Sequence, residues 1–175
     1  MDDFSAVYSE YFSRVYAFLY KLCRDQNLAE ELTQETFFQA LRSFHRYNGS
    51  CTLFTWLAAI AKKCYFKYLR RAKTMLLPDE PALLLESAAE EAGVGGDPTD
   101  DPEGKLLRKE TEHQVRAALL ELPERSRDVV LLRIYGDLPF KEIAALLEIS
   151  ESSAKVIFFR AKATLREILE ENSGV

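Results

Sequence analysis

The residues whose spacing could first suggest acid–base chemistry are two glutamate pairs, Glu30-Glu31 and Glu90-Glu91. Paired carboxylates do such work only beside a nucleophile, a metal or a pocket that perturbs one of them. Nothing near either pair supplies these, so solvated surface is the better reading. Cys23, Cys51 and Cys64 are far apart and form no C-x-x-C pair, and His45 and His113 are the only histidines. Reduced thiols, no metal, no cofactor and no enzymatic reaction are therefore expected. Chemistry of another kind is spaced along ISESSAKVIFFRAKATL, Ile149 to Leu165. Ala154, Ile157, Phe158, Ala161, Leu165 and Ile168 recur at helical steps and make one apolar stripe. Ser152, Ser153, Lys155, Val156, Phe159 and Arg160 fall on or beside the opposite face. Hydroxyls, cations and two apolar side chains on a wet face suit a DNA major groove. Phosphates take Lys and Arg there, and thymine methyls take apolar contacts.

Such a face needs a helix held at a fixed angle, and the preceding residues provide for one. Leu106 to Leu122 is periodic and stops before Pro123, which suits the first turn of a helix reaching Tyr135. Gly136 is expected to stop that helix and Asp137 to cap the next, a short one over Pro139 to Leu147. Glu148-Ile149-Ser150 makes a turn, and Ser150 caps a longer helix from Glu151 to about Glu170. A short helix, a three-residue turn and a longer helix give the spacing of a helix-turn-helix.

The N-terminal part also reads as helices. Phe4, Val7, Tyr8, Tyr11, Phe12, Val15, Phe18, Leu19 and Leu22 recur at steps of three and four. Asp25-Gln26-Asn27 breaks that helix, and Asn27 with Glu30 resembles a capping pair for a second helix reaching about Phe44. A polar break, HRYNGSCT, covers residues 45–52. The third helix, Phe54 to about Ala72, buries Phe54, Leu57, Ala58, Ala61, Tyr65 and Tyr68 and ends in a basic cluster. Trp56 lies among apolar neighbours and is expected in the core.

Charge divides the chain. Residues 1–73 carry +4 and residues 105–175 are neutral, whereas residues 74–104 hold nine acidic residues and no Lys or Arg. The middle stretch also has four of the six prolines and four of the seven glycines, a composition that cannot hold a packed core. The fold class expected is all-α: two small helical domains, 1–73 and 105–175, joined by a flexible acidic linker at 74–104. No apolar run approaches the roughly 18 residues that cross a bilayer, and MDDFSAVYSE is no secretion signal, so a cytoplasmic protein without membrane insertion is expected.

On spacing alone, a stand-alone helix-turn-helix regulator, or a helical enzyme or scaffold with the same fold, would also fit. The two ends of the chain together resemble something more specific. LPERSRDVVLLRIYGDLPFKEIAALLEISESSAKVIFFRAKATLRE is similar to region 4 of bacterial sigma factors, and AEELTQETFFQAL with TWLAAIAKKCYFKYLRR is similar to their region 2. Their order, the short linker and the small size resemble the extracytoplasmic-function (ECF) group of the sigma-70 family. The resemblance implies a transcription initiation factor that binds RNA polymerase core, through its β′ clamp helices and β flap, and promoter DNA. It also implies an anti-sigma partner, which the group commonly has. Glu31, Gln34 and Glu35 would bind the polymerase. Single-stranded −10 bases would meet Tyr47, Asn48 and Ser50 in the polar break, with Lys62, Lys63, Lys67, Arg70 and Arg71 on the adjoining backbone. The −35 duplex would be read by Ser152, Ser153, Lys155, Val156, Phe159 and Arg160. The chain departs from the family pattern at Glu148, where glycine is frequent, at Val156-Ile157, and at Cys64 and Lys67 in the third helix.

Overall fold

The computed structural model describes residues 2–75 and 102–174, and every regular element in them is helical. Nearly all of the acidic stretch, residues 76–101, lies outside the described residues. Three helices make the N-terminal half: α1 (Asp2–Cys23), α2 (Gln26–Ser43), a single 3-10 turn (Phe44–Arg46), and α3 (Leu53–Met75). Four make the C-terminal half: α4 (Pro102–Glu121), α5 (Glu124–Ile134), α6 (Phe140–Leu147) and α7 (Glu151–Asn172).

Helix α1 closes when Arg24 takes a left-handed backbone, φ 56°, and its N–H reaches the Tyr20 carbonyl at 2.8 Å. The cap of α2 is then Asp25, whose carboxylate accepts the Leu28 N–H at 3.0 Å. Asn27 was the expected cap, but a two-residue turn leaves it already inside the helix. The apolar residues named from α1 periodicity bury Val15, Phe18 and Leu19, which meet Leu32 and Phe37 of α2 and Leu57, Ala58 and Ala61 of α3. Thr33 and Thr36 are fully buried in α2 and donate their hydroxyls to the Ala29 and Leu32 carbonyls, so neither leaves an unmet polar group.

In the C-terminal half, Pro123 stands at the start of α5 as expected. Gly136 closes it with an N–H to the Leu131 carbonyl at 3.2 Å. Asp137 does not cap α6: it sits at φ 50° in the turn, and Pro139 occupies the cap position with no side-chain bond. Ser150 caps α7 through its hydroxyl, which accepts the Ser153 N–H at 3.0 Å. Helices α4, α5 and α6 all pack on α7. Glu148 ends α6 at φ 55°, ψ 43°, a conformation that costs a residue with a Cβ about 1–2 kcal/mol. Replacing Glu148 by glycine should therefore raise the melting temperature by a few degrees, since about 1 kcal/mol moves a domain of this size roughly 4–8 °C. Thermal unfolding followed by circular dichroism checks this; a lower midpoint would contradict it.

The two halves touch. Glu142 of α6 accepts the Thr52 N–H at 2.7 Å and the Thr55 hydroxyl at 3.2 Å, so it sits over the N-terminus of α3. The Lys62 ammonium of α3 lies 2.6 Å from the Asp128 carboxylate of α5. Arg127 stacks over Phe66, with 4.6 Å to the ring centre. Arg116 donates to the Leu22 carbonyl at 3.1 Å, an acceptor left open at the end of α1 and shared with the Tyr65 hydroxyl.

Candidate nucleic-acid interface

Helix α7 presents the face expected of it. Its buried stripe is Ala154, Phe158 and Ala161, with Ile157, Leu165 and Ile168 half-buried. Ser152, Ser153, Lys155 and Arg160 are exposed, and Val156 and Phe159 keep 47% and 61% of their surface. Phe158 and Phe159 meet edge to face, with ring centres 5.5 Å apart, so the buried ring fixes where the exposed one stands. Two polar groups of this face are already engaged. The Ser153 hydroxyl accepts from Ser150 at 2.7 Å within the cap, and Lys155 pairs with Glu151 at 3.4 Å. The second is a solvent-exposed pair, worth at most about 1 kcal/mol, so an incoming phosphate can displace it.

A second face runs along α2. Glu31, Gln34 and Glu35 are exposed on one side, while Leu32, Thr33, Thr36 and Phe37 anchor the other. The Glu35 carboxylate accepts from Gln39 at 2.7 Å. The same face continues into Phe38 and Leu41, which are 54% and 49% exposed. Sequence reasoning missed both, although steps of seven and ten from Glu31 were there to find them. A groove of about 410 Å³ separates this face from α3, with Phe38 and Tyr68 among its walls.

The basic residues of α3 split into two groups. Lys63, Lys67, Arg70 and Arg71 are exposed along one strip. Arg42 and Arg46, not singled out from sequence, face Lys63 and Lys67 across a groove of about 450 Å³. Lys62 does not belong to the strip. It is only 6% exposed, and its ammonium points to Asp128. Burial pulls Lys62 below the ordinary lysine range, against the opposing pull of the Asp128 carboxylate.

The loop before α3 builds itself from three of its own residues. The Tyr47 hydroxyl donates to the Cys51 carbonyl at 2.6 Å, and the Asn48 side chain accepts the Ser50 N–H at 3.0 Å. Gly49 sits at φ 73° between them, where a glycine carries no penalty. Tyr47 and Asn48 thus shape the loop through the atoms that would otherwise bond a base, while Ser50 remains exposed. Trp56, expected in the core, is half-buried and packs at 5.4 Å from the Tyr47 ring and 6.1 Å from Phe44. An aromatic surface therefore backs the loop.

All three cysteines are buried and unpaired, and burial pushes each thiol above its ordinary value. Among the described residues, no group of side chains could hold a metal, and no helix is long and apolar enough to cross a membrane.

Comparison with known proteins matches two stretches of the chain to family descriptions. Residues 7–74 fit "Sigma-70 region 2" and residues 112–165 fit "Sigma-70, region 4". The chain is 30% identical to the ECF RNA polymerase sigma factor SigM of Bacillus subtilis over 170 residues, covering 97% of this chain and 95% of that protein. It is 31% identical to the RNA polymerase sigma factor CarQ of Myxococcus xanthus, covering 97% and 91%. Among solved structures, the sigma factor RpoE of Bartonella quintana, crystallised with the anti-sigma factor NepR, has a similar fold. The TM-score is 0.55 at 17% identity, with 97% of this chain and 98% of that one covered.

Proposed function

Because the chain belongs to the sigma-70 family, in its ECF group, and is a promoter-specific transcription initiation factor, we propose that its surfaces divide that task. Residues 1–73 act as region 2, residues 105–175 as region 4, and the acidic residues 74–104 join them. The α2 face, from Glu31, Gln34 and Glu35 through Phe38 to Leu41, grips the β′ clamp helices. An exposed acidic rim beside two exposed apolar side chains supports that assignment, since hot spots combine apolar burial with polar edges. On the other half, a groove of about 550 Å³ lined by Ile134 of α5 and by Leu165 and Leu169 of α7 suits the β flap.

Promoter DNA would meet the remaining surfaces. The exposed face of α7 enters the −35 major groove. The strip Lys63, Lys67, Arg70 and Arg71, with Arg42 and Arg46 opposite, carries the phosphates of the −10 strand. Ser50 and the aromatic surface of Tyr47 and Trp56 meet its bases, where each stacked base contributes about 1–3 kcal/mol. The action is differential binding with no covalent step: unstacking the duplex is offset by contacts that only the single strand offers. A protein that acts on RNA polymerase would do so in the cytoplasm, and the proposal puts this chain there. The solved relative is held by an anti-sigma factor, and the proposal extends a partner of that kind to this chain.

The observation that carries the reading is the exposed mixed face of α7, at the far end of a chain whose α2 also exposes a face of mixed polar and apolar side chains. Transcription from a defined start on linear DNA, dependent on adding this protein to purified core polymerase, tests it directly. Glu31→Lys and Glu35→Lys combined with Gln34→Ala should weaken core binding at least tenfold, about 1.4 kcal/mol or more, with helicity unchanged. A pull-down titration with unchanged core affinity would remove the α2 face from the proposal.

A further inference from the structure

We propose that the groove between α2 and α3, lined by Arg42, Arg46, Lys63 and Lys67, is a binding site for a small ligand bearing a chain of linked phosphates, inorganic or carried by a nucleotide. Binding itself needs no promoter; its effect on initiation rests on the assignment of this strip to the −10 strand.

The cations converge from two sides. Arg42 comes from the last turn of α2 and Arg46 from the 3-10 turn, while Lys63 and Lys67 stand about one turn apart on α3. All four are exposed and line one groove of about 450 Å³, within the roughly 300–1,000 Å³ of small-ligand sites. No ion pair among the described residues engages any of them. Elsewhere the chain supplies a partner: Asp128 holds Lys62, Glu151 holds Lys155, and Glu112 holds Arg24 and Arg116. Lys63 and Lys67 are like charges at neighbouring positions on one helix face and repel each other. An anion between the walls relieves a repulsion that the fold leaves in place.

The charge in the groove selects the ligand. Glu35 is the one carboxylate among the described residues lining it, and it already accepts from the Gln39 amide at 2.7 Å. Four cations less one carboxylate leave a net +3. A single phosphate ester carries about −1.5 to −2 at pH 7 and leaves the groove cationic, whereas two or more linked phosphates neutralise it. Two guanidinium groups bring planar forks that take phosphate oxygens in pairs, and two ammonium groups act as point charges. Ile60, half-buried, adds an apolar lining against which a nucleotide's base can lie. A DNA strand brings one phosphate per nucleotide, more thinly than a linked chain does. The small ligand therefore competes for the same cations, and it lowers capture of the −10 strand while leaving the −35 face of α7 untouched.

Calorimetric titration of inorganic triphosphate into the full-length chain, at low salt and without magnesium, should show one saturable site. Its affinity should be at least tenfold above that for inorganic phosphate. Lys63→Ala with Lys67→Ala should weaken it at least tenfold with helicity unchanged, since both side chains are exposed. If that pair loses helicity, Arg46→Gln on the opposite wall takes its place. Lys105→Ala with Lys109→Ala removes equal charge from exposed positions of α4 and should leave the affinity within twofold. Uptake without saturation, equal losses in the two pairs, or an affinity no better than for phosphate would each overturn the site. ATP separates the two sources: tighter binding than triphosphate assigns the groove to a nucleotide, and equal or weaker binding to the phosphate chain alone. Bound triphosphate should also displace a single-stranded DNA oligonucleotide. If it binds without displacing the strand, the site stands and the −10 assignment of this strip falls.

Discussion

Replacing Lys155 and Arg160 together by alanine should weaken binding of a −35 duplex by about 2–6 kcal/mol, each cation contributing about 1–3. Both side chains are exposed on α7, and neither is needed for packing, since the stripe behind them is Ala154, Phe158 and Ala161. Lys155 gives up only a solvent-exposed pair with Glu151. If both cations lie on phosphates, the slope of log affinity against log salt should fall by about 1.8, at 0.9 per phosphate. If either reads a purine edge, the slope changes less and discrimination at one base pair falls instead. Val156 and Phe159 should behave differently: polar replacements should change −35 preference at one or two positions and leave the salt slope alone. Ile157→Ser is the control, because Ile157 is half-buried against the core and its loss should lower the melting temperature. Duplex titrations at several salt concentrations separate these outcomes. Early melting of the Val156 and Phe159 variants with DNA preference intact would assign those side chains to packing.

Gly136→Ala should be strongly destabilising for a reason unconnected with DNA. A Cβ at that position would lie 2.7 Å from the Leu132 carbonyl oxygen, which is backbone and cannot swing aside. The same residue closes α5 through its N–H to Leu131, and Leu138 reaches the Leu132 carbonyl from beyond it. Opening the turn to relieve the clash would disturb Leu131 and Leu132, both fully buried. Overpacking of this kind costs about 1–3 kcal/mol, or roughly 5–20 °C in the melting temperature of a domain this size. Thermal denaturation of this variant beside Glu148→Gly should therefore give shifts of opposite sign. The two turns flanking α6, Gly136 four residues before it and Glu148 directly after it, would then be shown to want glycine for different causes, one steric and one conformational.

Helix by helix, the fold was legible because its signals are local. Period, Pro123, Gly136 and Ser150 mark the C-terminal helices, and the wet position of Val156 and Phe159 follows from 100° per residue. The errors have local causes too. Two Asx residues within three positions competed to cap α2, and the length of the turn chose Asp25 over Asn27. Asp137 looked like a cap but went into the left-handed region, leaving Pro139 to set the approach to α6. The site was less legible where partners are distant. A lysine inside a basic run reads as solvated, and nothing near Lys62 announces Asp128. Tyr47 and Asn48 were correctly placed on the loop, but that their polar atoms would be spent on its own backbone depends on a bend set by Gly49. Family resemblance located the α2 face, and its apolar continuation through Phe38 and Leu41 needed the burial of Phe37 and Ala40 on the other side to become visible.

The buried thiols give the molecule a built-in reporter. Thiolate is the reactive form, and burial keeps Cys23, Cys51 and Cys64 protonated at neutral pH as well as out of reach. Alkylation must then wait for local opening, and its rate measures how often each region opens. The three positions sample different places: Cys23 the end of α1, Cys64 the middle of α3, and Cys51 the loop beside Glu142. A reagent that labels Cys51 well before the other two would show that the loop breathes while the helices around it stay shut.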